Sequence, residues 1–319
     1  MRAVGFTEFG GPEVLKVLEV DEPHAGPGEV RLQVGAAAVS PTDVHTRAGT
    51  ALAAMRRIDP AFALPEPPYV LGCDAAGVVD EIGPGTNTEL EIGDRAIAVL
   101  HSMSLRGAYQ EYVVVPAASA VPAPRNVDDV TASTLLMNGL AARNALDRLA
   151  LAAGKTVAVT GAAGTVGAYA VQLAKADGLR VVAEASEADE TLLRQLGADV
   201  VVPRGCEVAR AIRDQMPQGV DGLVDCAEQD DAVLGAVRDG GVIASLRGHR
   251  GPAERGISRV PVLYLDYLTE HSVLDRLRRQ VESGVLRLRV GGTYPAEHAA
   301  RAHHRMEAGG VRGRLVLTF

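Results

Sequence analysis

The chain has 319 residues, of which 47% are hydrophobic, and its formal net charge at pH 7 is −8. This length suits two domains of ordinary size, and the composition suits a large buried core. The negative charge argues against general nucleic-acid binding, which needs a basic surface to neutralise phosphates. No run of about 18 apolar residues predicts a membrane-spanning helix. We therefore expect neither a nucleic-acid nor a membrane partner.

The cysteines, Cys73, Cys206 and Cys226, are far apart and form no CxxC pair. This spacing argues against a disulfide framework and excludes a cysteine-rich structural zinc lobe. The N-terminal sequence MRAVGFTEFGG lacks the basic and apolar regions of a signal peptide. These features predict a cytoplasmic protein.

The first third of the chain has the pattern of short strands. Apolar runs at 30–34, 75–80 and 112–115 are separated by turns rich in glycine, proline and aspartate. This pattern predicts a mostly antiparallel, barrel-like domain. The polar segment 51–68, which ends in prolines, predicts a loop or a short helix.

The pattern changes after Pro124. Helical spacing over 128–149, interrupted by an expected turn at Asn138-Gly139, is followed by alternating strand and helix patterns up to Ser245. Such alternation predicts a doubly wound parallel sheet, so the predicted fold class is α/β. The tail predicts one helix over 268–283 and a strand over 314–319 that returns to the first domain.

A glycine-rich turn, GAAGTVG, connects the apolar run TVAVT at 156–160 to a helical segment. In a Rossmann fold this backbone passes close to a pyrophosphate, and the helix N-terminus stabilises the phosphate charge. A side chain at Gly164 would collide with the pyrophosphate, whereas Gly167 allows tight packing between helix and strand. The motif predicts a bound dinucleotide, and a tight turn without a ligand is the alternative. The predicted contacts are Gly161, Ala162, Ala163, Gly164, Thr165, Val166, Gly167 and, at the end of a later strand, Ser245.

The end of the second Rossmann strand bears on the choice between NADH and NADPH. An NAD enzyme places an acidic residue there for the ribose 2′-OH, and Glu184 is such a residue. Ser186 and Arg204, which follows the third strand, suit a 2′-phosphate instead. A further alternative is that Glu184 and Arg204 are solvated surface charges.

Several motifs in consistent order extend this interpretation to nearly the whole chain. They resemble the quinone oxidoreductase (zeta-crystallin) branch of the medium-chain dehydrogenases/reductases. The motifs are TEFGGPEVLKVLEVDEPHAGPGEV (7–30), VSPTDVHTRAG (39–49), YVLGCDAAGVVDEIGPG (69–85), GDRAIAV (93–99), GAYQEYVVVPA (107–117), GAAGTVGAYAVQLAKADG (161–178), LGAD (196–199) and MEAGGVRGRLVL (306–317).

The resemblance implies a GroES-like catalytic domain made of 1–124 and 268–319, and a Rossmann domain over 125–267. It also implies a homodimer or tetramer that pairs Rossmann sheet edges, for which 259–265 is the expected edge. NADPH is the implied hydride donor, with NADH as the alternative. Two departures weaken the NADPH prediction, because members often have threonine at Glu184 and lysine at Glu190.

Zinc-using relatives place a cysteine at the position of Ser40 and a His-Glu pair at Cys73-Asp74. Only Cys73 and Asp74 remain here, with His45 nearby in sequence, whereas a catalytic zinc needs three protein ligands. We therefore predict no metal. Without a Lewis acid, an acceptor that spreads the incoming charge is favoured, namely a quinone or an α,β-unsaturated carbonyl.

The predicted function is hydride transfer from NADPH to such a small molecule. The alternatives are an enoyl reductase for a thioester or biosynthetic intermediate, and an NADPH-binding protein with little turnover. Segments 51–68 and 248–259 are expected to shape the substrate pocket.

His45 is the candidate catalytic residue. Segment 40–45 resembles the family segment that faces the nicotinamide, and members often carry a tyrosine at His45. Histidine suits a proton donor because its ordinary pKa is about 6.5. The alternative is that His45 is a polar residue at a helix start and that water delivers the proton.

Overall fold

The computed structural model describes residues 1–58, 61, 63–246, 251 and 254–319. Contacts divide the chain into two compact units. The first unit contains Met1–Met137, Tyr267–Glu282 and Leu288–Phe319, and the second contains Asn138–Asp266 and Ser283–Arg287. The predicted domain boundaries, 1–124 with 268–319 and 125–267, stay a prediction. Among the described residues, no helix combines the length and apolar composition needed to cross a membrane.

The first unit is built mainly on antiparallel strands. Its strands are β1 (Arg2–Phe6), β2 (Lys16–Glu19), β3 (Glu29–Val39), β4 (Tyr69–Val70), β5 (Asp74–Ile82), β6 (Arg95–Val99), β7 (Tyr112–Pro116) and β8 (Ala120–Pro122). Its N-terminal helices are α1 (Pro41–Arg47), α2 (Thr50–Ile58) and α3 (Asp129–Ala132).

The strands of the first unit form a three-stranded sheet, β2-β1-β4, and a larger seven-stranded sheet. Apolar side chains from both sheets, including Phe6, Leu32 and Val113, share one buried core. In β3, buried residues dominate a long apolar run, because this central strand pairs with both β5 and β7. This is the barrel-like architecture that the strand pattern predicts.

Four chain segments lie side by side at one edge of the seven-stranded sheet, where the ends of neighbouring strands meet. Asp74 at the start of β5 pairs with Val99 at the end of β6. Val39 at the end of β3 lies opposite the final strand, β16. Ser40, Cys73 and the residues just after Val99 therefore lie at the same edge, which we call the Ser40 edge.

The second unit is a parallel sheet with strand order β11-β10-β9-β12-β13-β14. Its strands are β9 (Thr156–Thr160), β10 (Arg180–Ala185), β11 (Val200–Pro203), β12 (Val220–Asp225), β13 (Val237–Ser245) and β14 (Ser258–Pro261). Its helices are α4 (Leu136–Leu149), whose first residues belong to the first unit, α5 (Thr165–Ala176), α6 (Glu190–Gln195) and α7 (Val208–Gln215). This is the doubly wound sheet that the alternation predicts, so the predicted fold class is confirmed.

The tail has more structure than the sequence predicts. The expected helix is present as α8 (His271–Glu282). It is followed by β15 (Val290–Pro295), α9 (Ala299–Glu307) and β16 (Arg314–Thr318). Strand β16 lies between β15 and β3, so the tail completes the sheet of the first unit as predicted.

The turn predicted at Asn138-Gly139 is wrong. Helix α4 runs through both residues, and the helical stretch is interrupted before it, between Ala132 and Leu136. Glycine in a helix costs about 1 kcal/mol relative to alanine. Burial of Leu140, which is fully inaccessible, outweighs that cost here.

Segment 51–68, predicted as a loop or short helix, contains α2, which begins at Thr50. Residues 59, 60 and 62 of that segment lie outside the described residues, as do 248–250, 252 and 253 of the second expected pocket segment. The expectation that both segments shape a pocket stays a prediction.

A buried ion pair fixes the last strand to the Ser40 edge. Arg314 Nη2 lies 3.0 Å from Asp74 Oδ2, and both side chains are almost wholly buried. Arg314 Nε also donates to Val39 O at 3.0 Å, and Asp74 Oδ1 accepts from Met137 N–H at 2.7 Å. Burial raises the pKa of Asp74 to about 6, although the charge of Arg314 opposes this rise.

We expect Arg314→Met to change how stability depends on pH. The pKa of Asp74 is higher in the folded protein than its usual 3.8, so the free energy of unfolding falls as pH rises toward the folded pKa. Loss of the guanidinium raises the pKa of Asp74 further, so the free energy of unfolding continues to fall up to a higher pH. The variant's deficit should grow between pH 5.5 and 8, by about 1.4 kcal/mol for each unit of additional pKa rise.

Urea unfolding at both pH values measures this deficit. Arg314→Lys, which keeps a positive charge, is the control and should show a smaller pH dependence. An Arg314→Met deficit that is equal at both pH values would contradict the assigned role of Asp74.

Candidate functional site

The glycine-rich turn lies at the carboxyl end of β9, between β10 and β12 in the sheet. Gly161 has φ +55°, in the left-handed region that favours glycine. Helix α5 begins directly after its N-cap residue, Gly164, which makes no side-chain capping bond. A helix N-terminus without a capping side chain favours binding of an anion.

Gly164 and Gly167 are glycines for different reasons. A Cβ atom at Gly167 would lie 2.5 Å from Gly161 O and 2.7 Å from Ala162 Cα, so packing alone excludes a side chain. Within the described ranges, Gly161 O at 3.2 Å is the one atom that a Cβ atom at Gly164 would approach within 4 Å. The space outside Gly164 is thus an open cradle beside the helix N-terminus. It fits a dinucleotide pyrophosphate, as the motif predicts.

The parallel strands bring the other predicted cofactor residues to the same edge of the sheet. Ser245, buried at the end of β13, lies opposite Asp225. Arg204 is exposed, and its N–H donates to Ala185 O at 2.8 Å, which places it beside the end of β10. Ser186 follows β10, and its hydroxyl donates to Asp189 Oδ2 at 2.6 Å. Ser186 and Arg204 are therefore neighbours, as their proposed role requires.

Glu184 is not a solvated surface charge, because it is 1% exposed. Its Oε2 accepts from Gly161 N–H at 2.7 Å, and its Oε1 accepts from Gln229 Nε2 at 3.2 Å. The carboxylate therefore stabilises the glycine turn by a hydrogen bond to its backbone.

Sequence reasoning missed Asp225, which organises the loop after β12. Its Oδ1 accepts from Thr160 Oγ1 at 2.7 Å and from Ala227 N–H at 3.1 Å, and its Oδ2 accepts from Asp230 N–H at 2.9 Å. The signal was an acidic residue at the end of an apolar strand, where ligand sites of parallel sheets lie.

Segment 40–45 forms the beginning of α1 at the Ser40 edge. Ser40 caps the helix, since its Oγ accepts from Asp43 N–H, while its own N–H and Oγ–H donate to Asp43 Oδ2 at 2.7 and 2.6 Å. Asp43 Oδ1 also accepts from Gly72 N–H at 3.0 Å. Burial raises the pKa of Asp43, although these hydrogen bonds oppose the rise.

His45 lies in the last turn of α1, so the alternative that it starts a helix is wrong. It is half-buried, and its Nδ1 lies 3.1 Å from Thr50 Oγ1, whose hydroxyl donates to His45 O at 3.1 Å. Both contacts are satisfied when the Nδ1–H of His45 donates to Thr50. In that neutral tautomer, Nε2 carries no proton.

The positions that match zinc ligands do not fit a zinc ion. The hydroxyl of Ser40 is paired with Asp43, and the carboxylate of Asp74 is paired with Arg314. Cys73 is buried with its Sγ 3.9 Å from Asp43 Oδ1. Within the described part of the chain, no group of at least three His, Cys, Asp or Glu side chains is arranged to hold a metal. We therefore derive no zinc-dependent step.

Alanine substitution should separate the two glycine roles. Gly167→Ala should lower the free energy of unfolding by about 1–3 kcal/mol, because its methyl group overlaps the backbone of the turn. Gly164→Ala should change stability by at most about 1 kcal/mol but weaken NADPH binding at least about tenfold. Urea unfolding and nucleotide titration measure the two effects. Unchanged NADPH affinity in Gly164→Ala would mean that the open cradle holds no pyrophosphate.

Comparisons with known proteins agree with this geometry. The family model for the alcohol dehydrogenase GroES-like domain matches residues 26–125, and that for zinc-binding dehydrogenases matches residues 196–317. A quinone oxidoreductase of Sus scrofa is 30% identical, with 99% of this chain and 97% of that protein covered. An NADPH-dependent alkenal/one oxidoreductase of Arabidopsis thaliana is 28% identical, with 99% and 79% covered.

A solved NAD-dependent alcohol dehydrogenase is 31% identical, with a TM-score of 0.86 and both chains covered completely. The match to the zinc-binding dehydrogenase model concerns shared ancestry, because the ligand positions of this chain have changed. The near-complete coverage at 30% identity shows the family. The chain belongs to the medium-chain dehydrogenases/reductases, in the branch that contains the quinone oxidoreductases.

Proposed function

We propose that this protein transfers hydride from NADPH to a quinone or an α,β-unsaturated carbonyl compound. The observation that carries the proposal is the open cradle at Gly164, beside the N-terminus of α5, which fits a dinucleotide pyrophosphate. The names of the relatives support both acceptor classes, since one is a quinone oxidoreductase and another an NADPH-dependent alkenal/one oxidoreductase.

When bound, NADPH would supply a hydride, that is, one proton and two electrons, to the acceptor. The residues of the chain then determine which acceptors react. Because the Ser40 edge does not fit zinc, no metal polarises a carbonyl or an alcohol there. A conjugated acceptor moves the incoming electron pair onto its oxygen, where hydrogen-bond donors stabilise it. A proton from solvent or a side chain completes the reduction.

A spectrophotometric panel tests this proposal. Quinones, enones and enoyl thioesters are each mixed with the protein and either NADPH or NADH, and cofactor oxidation is followed at 340 nm. We expect turnover with quinones or enones. Turnover only with thioesters would favour an enoyl reductase. Tight NADPH binding without oxidation by any acceptor would contradict the enzyme and favour a binding protein.

We assign the 2′-phosphate of NADPH to Ser186 and Arg204. Arg204→Ala should weaken NADPH binding about 10- to 100-fold, because a charge-assisted contact is lost. NADH binding should change little. Arg210→Ala, which removes another exposed arginine, is the control. Calorimetric titration with both nucleotides measures the effect, and an equal loss for NADH would rule out a 2′-phosphate contact.

We assign His45, in its doubly protonated form, as a proton donor to the reduced enone, because only that form carries a proton on Nε2 while Nδ1–H donates to Thr50. His45→Phe should lower kcat more for enones than for quinones, since the oxygens of a reduced quinone take protons directly from solvent. Steady-state kinetics with one acceptor of each class measures the difference. Equal losses would indicate packing or binding, and unchanged rates would leave water as the donor.

We also propose a homodimer that pairs the β14 edges of two parallel sheets. In the described part of the second unit, β14 is hydrogen-bonded only to β13, and Leu263 beside it is 52% exposed. Light scattering should give the mass of two chains for the wild type and one for Leu263→Glu. A monomeric wild type would exclude this assembly. The cytoplasm remains our proposed compartment, supported by Cys73, Cys206 and Cys226, which form no disulfide with one another.

A further inference from the structure

His101 lies at the Ser40 edge, although no sequence motif singles it out. Strand β6 ends at Val99, and the N–H of the next residue, Leu100, donates to Cys73 O at 2.8 Å. His101 follows immediately. It is thus carried by the same sheet edge as Ser40 and the start of α1, which bears His45.

The backbone around His101 fixes which ring nitrogen carries the proton. Met103 N–H donates to His101 Nδ1 at 3.1 Å. In the neutral ring, Nδ1 is therefore the acceptor and Nε2 carries the hydrogen. Among the described residues, no hydrogen-bond partner is assigned to Nε2, and the side chain is exposed. Partial burial lowers the pKa of His101, which favours this neutral form.

The loop that carries His101 is held by hydrogen bonds at both of its ends. Ser104 Oγ–H donates to His101 O at 2.8 Å. Leu105, which is 1% exposed, has φ +52°, an uncommon conformation for a bulky residue. Such strain persists only where the surroundings hold it. Here Leu105 O accepts from Val70 N–H at 3.0 Å, and Gly107 N–H donates back to Val70 O at 2.9 Å.

We propose that His101 is a catalytic hydrogen-bond donor, whose Nε2–H binds the carbonyl or quinone oxygen of the acceptor as that oxygen gains negative charge. The inference rests on the proposed function, which assigns His45, carried by the same sheet edge, to the acceptor. The hydrogen bonds of the loop place a donor at this edge before the acceptor binds, and such preorganisation makes a donor effective.

His101 and His45 have complementary roles in this scheme. The hydride adds to the β-carbon of an enone, the electron pair of the C=C bond shifts toward oxygen, and the resulting enolate oxygen binds His101 without taking its proton. The α-carbon then takes a proton from His45 or water. Atoms and charge balance with one hydride and one proton per acceptor.

Two substitutions at position 101 distinguish this role from support of the loop. In His101→Asn, the amide oxygen takes the place of Nδ1 and still accepts from Met103 N–H, but the outward donor is lost. In His101→Gln, the longer side chain places an amide N–H near the position of Nε2 but leaves Met103 without its acceptor. A structural role therefore predicts that Asn is the better replacement, whereas a catalytic role predicts that Gln is.

We expect His101→Asn to lower kcat/KM for the acceptor about 10- to 100-fold, the effect of losing a hydrogen bond to a charged group. His101→Gln should retain more of the wild-type rate. NADPH affinity and thermal unfolding, measured on both variants, should stay near wild type. Equal rates for Asn and wild type, or a greater loss in Gln than in Asn, would overturn the proposal.

A second measurement needs no turnover. 4-Nitrophenolate carries a conjugated anionic oxygen like that of an enolate, and its absorbance reports binding to the protein saturated with NADP⁺. It should bind wild type and His101→Gln more tightly than His101→Asn. Equal affinities for all three would overturn the role of His101. If the three proteins differ in affinity as expected but the wild type reduces no acceptor, the result would contradict the proposed function and not the role of His101.

Discussion

The ion pair between Asp74 and Arg314 is the constraint on which the first unit depends. It joins the beginning of β5 to the final strand, and the same two residues bind Val39 O and Met137 N–H. A buried charge without its partner is strongly unfavourable, so the position of each residue constrains the position of the other. One consequence is chemical, because Asp74 stands where zinc-using relatives carry a ligand. The interaction that completes the sheet also removes a metal ligand from the Ser40 edge.

The second unit solves a different problem, since it must present backbone N–H groups at the carboxyl edge of a parallel sheet. It does so with buried carboxylates that accept from the backbone of neighbouring loops. Glu184 at the end of β10 supports Gly161, while Asp225 at the end of β12 holds Thr160 and the loop that follows. Hydrogen bonds thereby join adjacent strand ends. The open cradle at Gly164 lies above this network.

Local sequence patterns were sufficient for the sheet of the second unit and for its glycine turn, because strand periodicity and the turn GAAGTVG are confined to short segments. These patterns failed where contacts with residues distant in the sequence determine the local structure. Asn138-Gly139 has the composition of a turn, but burial of the surrounding residues keeps it helical. Glutamate is usually a surface residue, yet Glu184 is buried and accepts a hydrogen bond from Gly161 N–H. His101 has no motif, because its tautomer depends on Met103 N–H and its location on the pairing of β5 with β6.

The position of β16 also has a consequence for the order of folding. The parallel sheet of the second unit is assembled from one continuous segment, Asn138–Asp266, so its strands can pair while the chain is still being synthesised. The sheet of the first unit needs β16 beside β3, which is separated from it by most of the chain. Until then, the edge of β3 is unpaired and Asp74 has no counter-ion. Completion of this sheet therefore requires closure of a long loop, whose entropic cost the short loops of the second unit do not have.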